Sequence, residues 1–298
     1  MKKITIGSRG SDLALWQANH VKRQLEHLGH EVEIKVIITQ GDAIQNLSFD
    51  KLEGKGFFTK EIETALLDKS IDLAVHSHKD LETNPPAGLI IAAVSEREDP
   101  SELLLIRNES VDKDQKWNLK SEAIIGTSSA RRKSQINLYR SDLQINDLRG
   151  NVPTRIQKLR DGLYDAILLA KAGVDRLQLD LSEFHVEVLN PTEFVPAPAQ
   201  GVLGLQIREN DQEMKEIMAN LNHVDIAQKI GIERKILNLM EGGCQLPLGV
   251  YCPNEKQLFV SYAPSSNLAS KNFYFEPEQL DGFAEKVVSI LKEVGSNE

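Results

Sequence analysis

Lys3-Ile4-Thr5-Ile6-Gly7-Ser8-Arg9-Gly10-Ser11 is a short apolar strand that runs through glycine into serine and arginine and then into a helix-period segment. The same order returns at Ile124-Ile125-Gly126-Thr127-Ser128-Ser129. A strand that ends this way before a helix aims backbone N–H groups and hydroxyls at one point, as helix N-termini do when they hold anions. Two such junctions predict two α/β units facing each other across a cleft.

Around the first junction, Lys3 to Ile6 reads as a strand, Asp12 to Leu28 as a helix with Leu13, Val21, Leu25 and Leu28 on one face, and Val32, Ile34 and Val36 as a second strand. Gly29 ends the helix. Thr39 to Gly56 is polar and glycine-bearing, a loop of a length that tends to be functional or disordered. A helix through Ile62, Ala65 and Leu66 follows, then strands at Leu73 to Val75 and Ile90 to Val94. The second unit begins after Asp99-Pro100, with strands at Ile124-Ile125 and Ala166 to Leu169 and helices at Ala130 to Tyr139 and Val152 to Asp161. Alternation of short apolar runs with helical segments predicts parallel sheets covered on both faces. Pro191 to Pro198 reads as a crossover, after which Val202 to Ile207 returns as a strand to the first unit. Glu96 to Pro100 and Phe194 to Ala199 are stiff segments that would let the units rock. From about Asp225 the pattern becomes a helix through Met240, strands near Leu258 to Tyr262 and Asn272 to Phe275, and a helix from Pro277. The expected domains are 1–97 with 199–218, 98–198, and a small α+β domain at 219–298.

A formal charge of −9 over 298 residues argues against a general nucleic-acid or anionic-membrane binder, so any anion site is local. Two cysteines, Cys244 and Cys252, are too few for a secreted disulfide framework. No signal-peptide pattern follows Met1, and no apolar run reaches membrane-spanning length. The expected location is the cytoplasm.

Arg9, Arg131, Arg132, Arg149, Arg155 and Arg176 fall at strand ends and helix starts, where open α/β sheets bind ligands. Guanidinium groups pair bidentately with carboxylates and phosphates, so the set implies a polyanion, although each one alone reads rather as a solvated surface charge. Asp80, in Val75-His76-Ser77-His78-Lys79-Asp80, is either a general acid/base among cations or a structural partner of Lys79 or an arginine. His76-x-His78 could suggest a metal, but alternate strand residues point to opposite faces and no third ligand is signalled, so no metal is expected. Cys244, in Glu241-Gly242-Gly243-Cys244-Gln245, reads as a small buried hydrophobe or as an available thiol on a glycine loop. Cys252 reads as structural. Phe57-Phe58, with Lys51 and Lys55 beside them, are core aromatics or a stacking platform on a lid.

In order along the chain, Ser8-Arg9 through Leu13-Ala14-Leu15-Trp16-Gln17, Gly54-Lys55-Gly56, Val75-His76-Ser77 through Lys79-Asp80, Arg97-Glu98-Asp99-Pro100, Gly126 through Arg132, Leu148-Arg149-Gly150-Asn151-Val152 through Arg155, Ala199-Gln200-Gly201 and Glu241 through Gln245 resemble the motifs of the porphobilinogen deaminase (hydroxymethylbilane synthase) family. The resemblance covers roughly residues 5 to 250. It implies two domains like type II periplasmic binding proteins plus the small third one, and a dipyrromethane cofactor, one per chain, joined to Cys244 by a thioether. It further implies stepwise addition of four porphobilinogen molecules with loss of ammonia, then hydrolytic release of hydroxymethylbilane. Separately from the resemblance, the expected state is a monomer. Asp80 would stabilise the cation left by ammonia loss and take the proton from the newly joined ring. The arginines would hold the acetate and propionate groups. Ser11, Ser77, Lys79, Thr127, Ser128, Ser129, Gly150, Gly173 and Gln200 would contact substrate or cofactor, with Lys55 and Phe58 on the lid. Departures from the family pattern are His78 for methionine, Ala130 for leucine, Gln40 for arginine and Pro153 for glycine. The rival reading is a two-lobed module that binds small anions without catalysis.

Overall fold

A computed structural model describes residues 1–39, 59–243, 245–277 and 282–296. They group into two units, Met1–Glu98 with Gly201–Gln228, and Asp99–Gln200 with Lys229–Glu298. In the first, β1 (Lys3–Ser8), α1 (Asp12–His27), β2 (Glu31–Val36), α2 (Lys60–Leu67), β3 (Leu73–Ser77) and β4 (Leu89–Val94) follow in order. Ser11 caps α1 by accepting from the Ala14 N–H, and Gln17, Ala18, Val21 and Leu25 form its buried face. Leu28 does not belong to that face. It is the C-cap and 46% exposed, because the chain turns away at Gly29, whose φ of 85° suits glycine.

The second unit contains β5 (Glu102–Arg107), β6 (Ile124–Gly126), α3 (Ala130–Tyr139), β7 (Gln144–Asn146), α4 (Val152–Arg160), β8 (Ala166–Ala170), α5 (Lys171–Leu177) and β9 (Phe184–Leu189). The chain then sends β10 (Leu203–Arg208) back to the first sheet, followed by α6 (Gln212–Ala219). The two five-stranded sheets have orders β2-β1-β3-β10-β4 and β7-β6-β8-β5-β9. In each, the first three strands are parallel and the fourth runs antiparallel to both its neighbours. Wholly parallel sheets are therefore corrected to mixed ones of repeated topology. The returning strand falls where the sequence placed it.

One face of the first sheet packs Ile4, Ile6, Val75 and Leu205 against Val21, Leu25 and Met214, and the other packs Ala74 and Leu89 against Ile62 and Leu66. Each valine, leucine, isoleucine or methionine among them contributes roughly 1.5–3 kcal/mol when fully buried. After α6 in the chain come α7 (Val224–Leu239), β11 (Leu248–Asn254), β12 (Gln257–Tyr262), β13 (Lys271–Phe275) and α8 (Phe283–Ser296). The three strands form an antiparallel sheet whose Val250, Leu258 and Val260 pack on Val287 and Leu291 of α8, an α+β arrangement as expected. Glu233 of α7, fully buried, accepts the N–H groups of Ala199 at 2.7 Å and Cys252 at 2.8 Å. That carboxylate ties the crossover to β11.

Candidate active site

The first group of site residues gathers where β1 and β3 meet α1. Asp80 is exposed at the end of a single 3-10 turn, His78–Asp80, that leaves β3. With Arg9, Ser11, Gln17, Thr59, His76 and Ser77 it lines a cavity of about 100 Å³. Gln17, buried on α1, donates from Nε2 to Ser77 Oγ at 2.9 Å. Lys79 is half-buried on the same turn.

His76 is held from behind. Gln206 Nε2 donates to Glu63 Oε1 at 3.1 Å, which turns the amide oxygen towards His76 Nε2, also at 3.1 Å. A carboxylate oxygen and an amide oxygen only accept, so His76 Nε2 bears the hydrogen. Burial, assisted by the Arg9 charge and opposed by the Gln206 hydrogen bond, pushes its pKa down to about 4. The ring is neutral at pH 7. His78 is buried too and packs on Gly204, where an added Cβ would lie 3.2 Å from His78 Cδ2. Both histidines are thus core residues. The cavity combines one exposed carboxylate, one guanidinium, a neutral imidazole and hydroxyls, a set suited to a ligand with both anionic and cationic character.

The second group belongs to the other unit. Its hydroxyls serve the β6–α3 junction: Ser129 caps α3 through the Arg132 N–H at 3.4 Å, Thr127 Oγ1 accepts the Ser129 N–H at 3.2 Å, and Ser128 Oγ donates to Leu148 O at 3.0 Å. Arg131 and Arg132 are buried, 5% and 6% exposed, against the fully buried Glu102 at the start of β5. Arg131 donates to Glu102 Oε1 and to Val195 O at 2.8 Å. Arg132 donates to Oε1 at 3.1 Å, to Oε2 at 2.6 Å and to Leu168 O at 3.0 Å. Burial lowers the Arg131 pKa and the Glu102 charge opposes that.

Arg155 Nε donates to Gly150 O at 2.7 Å, and Asn151 caps α4 through the Thr154 N–H. Gly150 has φ of 115°, and a Cβ there would lie 2.7 Å from Thr154 Cγ2, so only glycine fits. Gly173 and Arg176 are buried on α5, and Arg149 is half-buried. Gln200 is fully buried and donates to Pro100 O at 2.7 Å, which makes it a tie between the crossover and the Asp99-Pro100 segment. Cys244, Lys55 and Phe58, and with them Gln40, Lys51 and Phe57, lie outside the described residues.

Gln17, Glu102 and Gln206 are among the residues that escaped the sequence reading as parts of these groups. Gln17 has a signal, since it lies four residues from Leu13 on one helix face. Glu102 also has one, as a lone acid before Leu103-Leu104-Leu105-Ile106. Gln206 has none, being one polar residue in a returning strand.

The family described as "Porphobilinogen deaminase, dipyromethane cofactor binding domain" matches residues 4–216. This chain belongs to the porphobilinogen deaminase family. It is 47% identical over 253 residues to a protein named porphobilinogen deaminase from Sulfurimonas denitrificans, covering 84% of this chain and 79% of that one. It is 48% identical to one from Nitratidesulfovibrio vulgaris, covering 83% and 78%, and 45% identical to one from Oceanobacillus iheyensis, covering 84% and 80%. Among solved structures it is similar to an arginine-specific periplasmic binding protein of Salmonella typhimurium, with 12% identity, a TM-score of 0.40, and coverage of 74% of this chain and 92% of that one. The family's matched region binds a dipyrromethane cofactor. The second group fits such a group: two buried guanidiniums face one carboxylate, leaving one positive charge for an acidic ligand.

Proposed function

We propose that this chain is a transferase of tetrapyrrole (haem) biosynthesis that joins four porphobilinogen molecules head to tail, releases ammonia at each addition, and frees hydroxymethylbilane by hydrolysis. The family match over residues 4–216 favours this over a non-catalytic anion-binding module. The observation that carries the mechanism is the exposed Asp80 carboxylate sharing one cavity with Arg9.

Bound dipyrromethane supplies the nucleophilic ring carbon to which the first substrate is joined. Cys244 holds it through sulfur, and Thr127, Ser128, Ser129, Arg131 and Arg132 hold its acidic side chains. Arg149, Arg155 and Arg176, with Gly150 and Gly173 leaving room for the chain, receive the carboxylates added with each ring. Arg9, Ser11 and Ser77 orient the incoming porphobilinogen, with Lys79, Gln200, Lys55 and Phe58 as further contacts. Asp80 stabilises the cationic carbon left by ammonia and then accepts the proton of the ring carbon that has formed the new bond; a positioned carboxylate in such a role supplies roughly 10²–10⁴-fold.

The chain works as a cytoplasmic monomer with domains at 1–97 with 199–218, 98–198 and 219–298, and without nucleic-acid or membrane partners. No helix among the described residues is long and apolar enough to cross a membrane. Intact-protein and peptide mass spectrometry tests the reading: the expected result is a two-pyrrole excess on the Cys244 peptide, absent in an inactive Cys244→Ser chain. An active but unmodified wild-type chain would overturn it.

A further inference from the structure

Glu102 has no place in the mechanism above, yet it lies at the centre of the arginine group. It is fully buried, and its two oxygens accept three hydrogen bonds from Arg131 and Arg132. Two guanidiniums this close repel each other in a medium of low dielectric, and a single carboxylate between them holds both in place. The triad of two arginines and one glutamate carries a net charge of +1 in the protein interior. Among the described residues, the hydrogen-bond donors of its two arginines are only partly used. Of the five N–H donors that a guanidinium offers, Arg131 commits two and Arg132 three to the protein. Neither arginine can move aside to find other partners, because Arg131 also holds Val195 O and Arg132 holds Leu168 O.

We propose that Glu102 is a positioning residue of this anion site, which fixes Arg131 and Arg132 side by side and cancels one of their two charges. A ligand carboxylate then meets one net positive charge instead of two. The consequence is moderated affinity. A site that takes the acidic side chains of the two-ring primer needs enough positive charge to seat them, and at +2 the pair would also draw inorganic anions into the empty site. This rests on the reading that these arginines face the carboxylates of the ligand, and the test separates the two.

The experiment measures the concentration of inorganic phosphate that halves holoenzyme formation when the full-length apo chain is mixed with porphobilinogen, so that the site is empty when phosphate competes for it. The variants set the charge of the triad: Arg132→Gln to 0, Glu102→Gln to +2, and the double variant back to +1. The expected order of phosphate affinity is Glu102→Gln tightest, wild type and the double variant equal, and Arg132→Gln weakest, with roughly tenfold per unit charge. Glu102→Asp, which keeps the charge, restores the wild-type value. A merely structural glutamate predicts weaker or unchanged phosphate binding in Glu102→Gln and no return in the double variant, and that result overturns the proposal. If Glu102→Gln does not fold, the comparison of the double variant with Arg132→Gln decides instead: tighter binding in the double variant supports charge balancing, and equal or weaker binding refutes it. If Arg132→Gln changes neither phosphate inhibition nor turnover, the assignment of these arginines to the ligand fails and the role of Glu102 fails with it. If Arg132→Gln weakens binding while Glu102→Gln does not tighten it, only the role of Glu102 fails.

Discussion

Asp80 and His76 occupy one cavity with opposite burial, and that difference divides their roles. Asp80 is exposed at the tip of its turn, so replacing it removes chemistry and little packing. Asp80→Asn is expected to retain the thermal midpoint within a few degrees and to lose about 10²-fold or more in turnover, checked by calorimetry beside porphobilinogen consumption. His76 is buried behind it, with a pKa pushed down to about 4. An unfolded histidine titrates near 6.5, so between pH 6.5 and 4 the unfolded chain binds the extra proton and the folded one does not. Stability is therefore undiminished above pH 6.5 and falls as the pH drops towards 4, by up to about 1.4 kcal/mol per pH unit from this residue. Urea unfolding at pH 7 and pH 4.5 should show that loss, and His76→Gln should lack this share of it. Asp80 was legible because strand-end position and neighbouring cations are local facts. The hydrogen on His76 Nε2 was not, since it depends on Gln206 and Glu63, both distant in the chain.

Among the elements, two junctions that contain glycine are of different physical kinds. Gly29 ends α1 with φ of 85° and would have nothing within 4 Å of an added Cβ. Gly201 leads into β10 with φ of 89°, and there a Cβ would lie 2.4 Å from the backbone oxygen of Glu98. Gly29→Ala should cost about 1 kcal/mol, from the backbone angle alone, whereas Gly201→Ala should cost about 3 kcal/mol, because a fixed carbonyl must also move. Denaturant midpoints of the two variants check the difference. Strands that alternate or adjoin a glycine-serine junction were readable. β5 was not, because Leu103, Leu104, Leu105 and Ile106 are all buried and a strand covered on both faces loses the period-two signal. With β5 missed, Glu102 at its head went unnoticed.

For the whole molecule, the decisive feature is that the first five-stranded sheet takes its fourth strand from outside its own run of chain, whereas the second builds all five from Asp99–Gln200. β10 lies between β3 and β4, so Met1–Glu98 alone lacks the strand that joins them. A fragment of residues 1–98 is expected to show no cooperative thermal transition by circular dichroism, and the same fragment linked to residues 201–228 is expected to melt cooperatively. Sequence by itself determined the two strand–glycine–serine–helix junctions, the acidic balance with its local arginines, the place of Asp80 and the family motifs, because these depend on backbone period, capping chemistry and residue order. Only tertiary structure decided that the sheets are mixed, that β5 enters one of them, and that Arg131 and Arg132 share one buried carboxylate. Those outcomes depend on which surfaces fit when brought together: Leu104 pairs with Leu168 and Leu205 with Val75, contacts between segments far apart in the chain, and no local pattern encodes them.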